Sequence, residues 1–264
     1  MALRDITLGQ YFPGHTIIHR LDPRTKLLCT VLYIVSLFLA GGAAGYAVLF
    51  LVLAACTAVA KIRPAALLRG MRPILFIIVL TAVLNMFYTP GTVLWQWKFL
   101  RLTQEGIWTA FFMVLRVSFL ISSTFLLTYT TSPLVLTDGL ERLLSPLKRL
   151  HVPVHELTMI MSIALRFIPT LIEETDKIMS AQKARGADFD SGNLFQKAKA
   201  LVPLFISAFR RADELAVAME CRCYHGGEGR TRLRQLRFQG ADAAALVLFC
   251  ALAVGVWALG RLGL

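Results

Sequence analysis

Charged residues, and acidic ones above all, are scarce in this 264-residue chain. Charged residues make up 17% of it, and 16 Asp and Glu stand against 28 Lys and Arg, which leaves a formal net charge of +12. The hydrophobic fraction, 56%, is higher than soluble domains of this length usually have. No glycine-rich loop ending in lysine is present to bind phosphates, so we expect no nucleotide hydrolysis by this chain alone. The composition therefore predicts a membrane protein that is not itself an ATPase.

Complete motifs for metal-dependent catalysis are also missing. His155-Glu156 begins like a zinc-protease motif, but Met159 stands where the second histidine is required. No helical spacing gathers His151 or Glu173-Glu174 beside this pair, and all of them belong to a charged, interfacial stretch. The sequence therefore predicts that this protein is not an enzyme.

The chain has only five cysteines, and a reducing cytoplasmic face implies no disulfide framework for them. Three are isolated in apolar segments and are predicted to pack as small core residues: Cys29, Cys56 and Cys250. Cys221, Cys223 and His225 lie within five positions and could chelate a metal, although a fourth ligand would have to come from elsewhere. Our prediction is that the chain holds neither a metal nor a cofactor.

Five stretches are candidates for membrane-spanning helices, each of which needs about 20 apolar residues. They cover residues 26–42, 43–60, 73–90, 106–131 and 241–260, and glycines between the first two make these a hairpin. The predicted fold class is all-α, a polytopic membrane protein with about five transmembrane helices and a platform of amphipathic helices. We divide the chain into an N-terminal segment with four spans, a platform region and a last span: 1–131, 132–237 and 238–264.

Basic residues are concentrated on one side of these spans. Of the 28 Lys and Arg, 24 precede the first span, lie between the second and third, or fall in 132–237. Lys98, Arg101 and Arg261 would lie on the other side, and Arg116 inside the fourth span is expected to pair within the helix bundle. The positive-inside rule predicts a multi-pass cell-membrane protein whose N-terminus and platform are cytoplasmic and whose C-terminus is outside. Anionic membrane lipid accounts for the basic charge, so no nucleic acid partner is expected.

Two long amphipathic helices are predicted between His155 and Cys223. Apolar residues recur at helical spacing from Leu157 to Met179 and again from Leu201 to Met219, with many charged residues between them. So many charges exclude lipid-spanning helices, and we expect both to lie beside the membrane. The first helix ends at Ala184-Arg185-Gly186 and the second at Cys221-Arg222-Cys223.

Four segments, taken together, resemble the transmembrane T component of energy-coupling factor transporters. They are HRLDPRTKL (19–27), ALRFIP (164–169), QKARG (182–186) and AMECRCY (218–224). The resemblance implies a scaffold that joins a small substrate-binding membrane subunit to two cytoplasmic ATP-binding subunits, for the uptake of vitamins or metal ions. It also implies that two arginines, with their small neighbours, dock into the ATPases: Arg185 with Ala184 and Gly186, and Arg222 with Cys221 and Cys223.

One departure from the family and several alternatives stay open in the sequence. The family usually places alanine and glycine around the second arginine, so we expect the helix-ending glycine only at Gly226-Gly227. Each arginine could instead merely offset the dipole of its own helix, an effect of about 0.3 to 1 kcal/mol. The alternative functions are a membrane-embedded, metalloprotease-like enzyme and a stand-alone carrier. Against both, the polar residues gather on the interfacial helices rather than within the spans.

Overall fold

A computed structural model describes residues 11–97, 100–150, 152–186, 194–226 and 238–261. They belong to two compact units, which we call the membrane unit (Gln10–Gly139 and Leu236–Leu264) and the platform unit (Met1–Gly9 and Leu140–Gln235). The described residues form ten α-helices and one short hairpin. In chain order the helices are α1 (Ile17–Arg20), α2 (Pro23–Leu39), α3 (Ala43–Ala60), α4 (Pro64–Met71), α5 (Leu75–Tyr88), α6 (Gln104–Thr130), α7 (Pro133–Leu144), α8 (Val154–Ala184), α9 (Leu194–Glu220) and α10 (Gly240–Arg261).

Five helices among the described residues are long and apolar enough to cross a membrane: Ala43–Ala60, Pro64–Tyr88, Gln104–Thr130, Val154–Ala184 and Gly240–Arg261. The predicted class of polytopic, mainly helical membrane protein is thus confirmed. The set of five nevertheless differs from the prediction at two helices. With 17 residues, α2 lies at the lower limit for a span, whereas the 31-residue α8 contains an apolar stretch before its charged second half.

Two further expectations were wrong in detail. The residues between the second and third predicted spans begin a helix at Pro64, and proline suits the first helical position. A 3₁₀ turn at Arg72–Ile74 joins α4 to α5, so the third span starts nine residues (73 − 64), or about two and a half turns, earlier than predicted. Between α5 and α6, β1 (Val93–Trp97) and β2 (Leu100–Thr103) pair as an antiparallel hairpin that the helical patterns did not indicate.

The core of the membrane unit lies where α2, α3, α6 and α10 meet. Tyr33 donates its hydroxyl hydrogen bond to the Leu49 carbonyl oxygen at 3.1 Å, so even the polar tip of this buried side chain is satisfied. Arg116 behaves as predicted and pairs within the bundle, because its Nε donates to Tyr46 Oη at 3.0 Å. The buried residues of this core are Tyr33, Leu37, Ala40, Tyr46, Leu49, Leu53, Phe119 and Val256.

The sequence prediction for the isolated cysteines holds only in part. Cys29 is buried on α2 and fits the description of a core residue. Cys56 is half-buried, and Cys250 on α10 is exposed and therefore is not part of the core. An exposed thiol on an apolar helix is compatible with a lipid environment, where a small, weakly polar side chain costs little.

Candidate functional site

The end of α8 presents the first predicted docking motif. Ala184 is the last helical residue and Arg185 is its C-cap, whose backbone N–H bonds to the carbonyl oxygens of Ala181 and Gln182 at 3.2 and 3.1 Å. Gly186 follows with a φ of +87°, in the left-handed region that favours glycine, and its N–H bonds to the Lys183 carbonyl at 3.0 Å. The chain therefore turns away from the helix axis directly after Arg185.

The end of α9 presents the second motif in the same backbone geometry. Cys223 has a φ of +56°, its N–H bonds to the Glu220 carbonyl at 2.9 Å, and the Tyr224 N–H bonds to the Met219 carbonyl at 3.1 Å. These two bonds form a Schellman motif in which Arg222 is the C-cap. The helix ends at this motif, as predicted, but the left-handed residue is Cys223 itself and not a glycine at Gly226-Gly227.

Both arginines consequently occupy equivalent positions, each at a helix C-cap with a left-handed residue next in the chain. Their side chains are exposed, as are Ala184, Gly186, Cys221 and Cys223. Within the described residues no hydrogen bond, ion pair or aromatic ring engages either guanidinium. A rigid fork of five donors, presented with small neighbours at the tip of a helix, suits carboxylates and the carbonyl ends of helices on a partner protein.

The alternative metal and protease sites are not assembled in the described part of the chain. No group of three His, Cys, Asp or Glu side chains there is close enough to hold a metal ion. His225 Nδ1 lies 2.8 Å from the Cys223 carbonyl oxygen. His155 pairs with Glu141 at 3.1 Å rather than with Glu156, and His151 lies outside the described residues.

The HRLDPRTKL segment (19–27) contributes buried polar residues to a junction between helices. Lys26 Nζ donates to the carbonyl oxygens of His19 at 3.1 Å and Thr130 at 3.0 Å and to Thr131 Oγ1 at 3.2 Å. Asp242, 1% exposed, completes the junction from α10. Its Oδ1 accepts from the Asp22 N–H and its Oδ2 from the Gln239 N–H, both at 2.8 Å. The segment therefore ties the first residues of α2 to the end of α6 and the start of α10.

Sequence reasoning missed one contact, between α8 and α9. Glu174 accepts a hydrogen bond from Arg211 Nη2 at 2.7 Å and a second from the Ser207 hydroxyl. All three residues were visible as polar positions on amphipathic helices. The available signal was that Ser207 and Arg211 are four residues apart and so share a helix face.

Comparisons with known proteins show which family this chain belongs to. Residues 14–233 match the family described as "Cobalt transport protein". A relative from Thermosediminibacter oceani is 56% identical over 257 residues, which cover 96% of this chain and 97% of the relative. A relative from Ruminiclostridium cellulolyticum is 54% identical over 244 residues, 91% of each chain. A third, from Bacillus subtilis, is 48% identical over 251 residues, covering 93% and 95%. Each relative carries the name "Energy-coupling factor transporter transmembrane protein EcfT".

The apolar helices and the transport family together define a multi-pass membrane component of a transporter, not an enzyme. At this identity over nearly its full length, the chain belongs to the EcfT family of energy-coupling factor transporter transmembrane proteins.

Proposed function

We propose that this chain is the scaffold that couples two cytoplasmic ATP-binding subunits to a small substrate-binding membrane subunit during uptake of vitamins or metal ions. The observation that carries the proposal is the equivalence of Arg185 and Arg222. Both are exposed C-cap arginines with the same turn after them, as two similar partners would require. The resemblance of the motifs to the T component supplies the identity of the partners.

An ATPase groove is a better explanation for the surroundings of these arginines than exposure to solvent alone. A helix C-terminus carries partial negative charge, so each arginine gains about 0.3 to 1 kcal/mol merely by lying there. That effect needs a cation but no small neighbours and no sharp turn. The small residues around each arginine instead allow the guanidinium to enter a partner surface, where its fork makes directional hydrogen bonds.

The proposed orientation places the N-terminus and the platform unit in the cytoplasm and the C-terminus outside. Support comes from the membrane unit, in which several junctions between spans meet at one end. The Phe12 N–H bonds to the Tyr129 carbonyl at 3.0 Å, α1 contacts α3, and Asp242 at the start of α10 bonds to the first residues of α2. Lys61 and Arg63 follow α3 at this same end, so the end is rich in cations, as a cytoplasmic surface should be.

Single substitutions test the two docking residues separately. Truncating a buried arginine leaves acceptors on the partner desolvated and unpaired, so Arg185→Ala and Arg222→Ala should each weaken ATPase binding by about 2 to 5 kcal/mol. Lysine should restore binding poorly because it keeps the charge and loses the fork. The measurement is co-purification of the ATPases, with Arg210→Ala, an exposed arginine elsewhere on α9, as the control. Unchanged co-purification of the ATPases with both alanine variants, or full co-purification with the lysine variants, would contradict a buried guanidinium.

A further inference from the structure

The contact between α8 and α9 engages both carboxylate oxygens of Glu174 and the guanidinium of Arg211. One oxygen of Glu174 accepts from Arg211 and the other from the Ser207 hydroxyl, while the Arg211 guanidinium also lies over the Phe167 ring, 5.9 Å from its centroid. The Glu174 side chain is 25% exposed and that of Arg211 33%, so the pair is partly shielded from water. Two hydrogen bonds and a cation–π contact define the relative direction of the two helices more closely than a single ion pair does.

Little else is buried where these helices meet. The only buried residues of α8 are Val154 and Thr158 near its start, and α9 has none among the side chains described, from Val202 onward. Interdigitated packing is what normally fixes a helix crossing angle. With such shallow packing, the directional contact of Glu174 with Ser207 and Arg211 constrains how α8 and α9 cross.

The contact lies at the same distance from both docking motifs. Arg185 follows Glu174 by eleven positions (185 − 174), and Arg222 follows Arg211 by the same number (222 − 211). Eleven residues are about three helical turns, or roughly 16 Å, so each arginine lies on nearly the same face of its helix as the residue in the contact. From the crossing point, the two helices extend as arms of equal length toward their C-cap arginines.

We propose that Glu174 and Arg211 are positioning residues that form a pivot, which sets the angle between α8 and α9 and thereby the spacing of the two docking arginines. The proposal rests on the proposed function, because it treats Arg185 and Arg222 as the docking residues. In this proposal Glu174 and Arg211 act through the helices that carry the arginines. Partly exposed ion pairs contribute little to stability, so the consequence of breaking this one is a change of geometry rather than unfolding.

The test measures that geometry in the assembled complex. Spin labels are attached at Ser180 on α8 and Val217 on α9, both exposed and each six positions beyond the pivot (180 − 174 and 217 − 211), after replacement of the five native cysteines. Pulsed electron paramagnetic resonance gives the distribution of distances between the two labels. ATP hydrolysis by the complex is assayed in parallel. The variants are Glu174→Gln, Arg211→Gln and the charge exchange Glu174→Arg with Arg211→Glu. Matched controls are Glu173→Gln and Arg210→Gln, the exposed neighbours of the same residue types.

We expect both pivot variants to broaden the distance distribution and to slow ATP hydrolysis by about threefold or more. The charge exchange should restore a narrow distribution, and the controls should match the unaltered chain. A Glu174→Gln chain that behaves like Glu173→Gln would overturn the proposal, as would a charge exchange as broad as the single variants. Failure of the proposed function is seen in a separate experiment. If the Arg185→Ala, Arg222→Ala double variant still retains both ATPases, docking by these arginines is refuted. The distances between the labels report on the pivot in either case.

Discussion

Cys223 adopts a backbone conformation that side chains disfavour. Its φ of +56° is shared by only one other non-glycine residue of the described chain, Lys61 at +55°. The corresponding position after α8 is Gly186, where the same conformation carries no such cost. The unusual cysteine therefore stands where the backbone favours glycine.

Replacing Cys223 with glycine should stabilise the end of α9. Removing the left-handed penalty is worth about 1 kcal/mol, or roughly a fivefold slower opening of the turn. Hydrogen exchange of the Tyr224 amide, which bonds to the Met219 carbonyl, should slow in Cys223→Gly and accelerate in the β-branched control Cys223→Val. Cys221→Ala combined with Cys223→Gly should leave the complex intact. If that double variant abolished one equivalent of bound zinc, these cysteines would be metal ligands instead of packing residues.

His19 makes the attachment of the N-terminal segment sensitive to pH. Burial lowers the pKa of the His19 imidazole, as do the charges of Lys26 and His15, against the hydrogen bond to the Phe12 carbonyl at 3.2 Å, which raises it. His19 therefore takes up a proton less readily when the N-terminal segment is attached than when it is detached. The attachment of the segment therefore keeps its full stability above the ordinary histidine pKa of about 6.5 and loses stability as the pH falls below that value.

The pH dependence is measured by limited proteolysis within Tyr11–Arg20. Cleavage should accelerate as the pH falls from about 7 toward 5 and should lose most of this dependence in His19→Gln, which does not titrate. Because His15 is exposed, His15→Gln serves as the control and should keep most of the dependence. A His19→Gln chain with an unchanged pH profile would assign the effect to another group.

At the level of elements, most helices were predictable and their long-range connections were not. The length of the apolar runs located α3, α6 and α10 to within a few residues, because each run is long enough for a span and is bounded by turn residues. The start of α4 was missed, because its basic segment was assigned to the connection between two spans, although arginines fit an amphipathic helix equally well. Periodicity also holds no information about Asp22 and Asp242, which meet across 220 positions. The two arginine motifs that we propose for docking were recognised in the sequence, whereas their shared cap geometry is visible only in the backbone.

Asp242 should be essential to the way α2, α6 and α10 are held together. Asp242→Asn keeps one acceptor oxygen and loses the other, so the hydrogen bond from either the buried Asp22 N–H or the exposed Gln239 N–H is lost, and an unpaired Asp22 N–H costs about 1 to 3 kcal/mol. The thermal denaturation midpoint of the protein in detergent should fall accordingly. Asp213→Asn, an exposed aspartate on α9, is the matched control. Equal midpoints for the two variants would mean that the junction contributes nothing to stability.

For the whole molecule, the distribution of cations predicts the membrane topology. Reporter fusions after Pro90 and at Leu264 should read outside, and fusions after Lys61 and at Gly192 inside. The Gly192 fusion is the decisive one, because α8 is long and apolar enough to cross a membrane yet is proposed to lie in the cytoplasm. An outside signal at Gly192 would make α8 a span, and a cytoplasmic signal at Leu264 would remove one span from the proposed topology.

The proposed scaffold role is a property of the whole molecule, since it requires both of the proposed docking arginines in one chain. When one arginine is lost, the other anchor keeps the second ATPase at a high effective concentration, so assembly weakens but survives. When both are lost, this advantage disappears along with the direct contacts. The losses should therefore exceed the sum of the two single effects, in contrast to independent helix-end charges, whose small effects would simply add.

The most direct test is the recovery of both ATP-binding subunits with the Arg185→Ala, Arg222→Ala double variant, compared with each single variant and with Arg210→Ala. We predict that each single variant retains a reduced share of the ATPases, that the double variant retains almost none, and that Arg210→Ala matches the unaltered chain. A double variant that is still properly inserted in the membrane and still recovers both ATPases at the unaltered level would contradict the account and leave these arginines as helix-end charges.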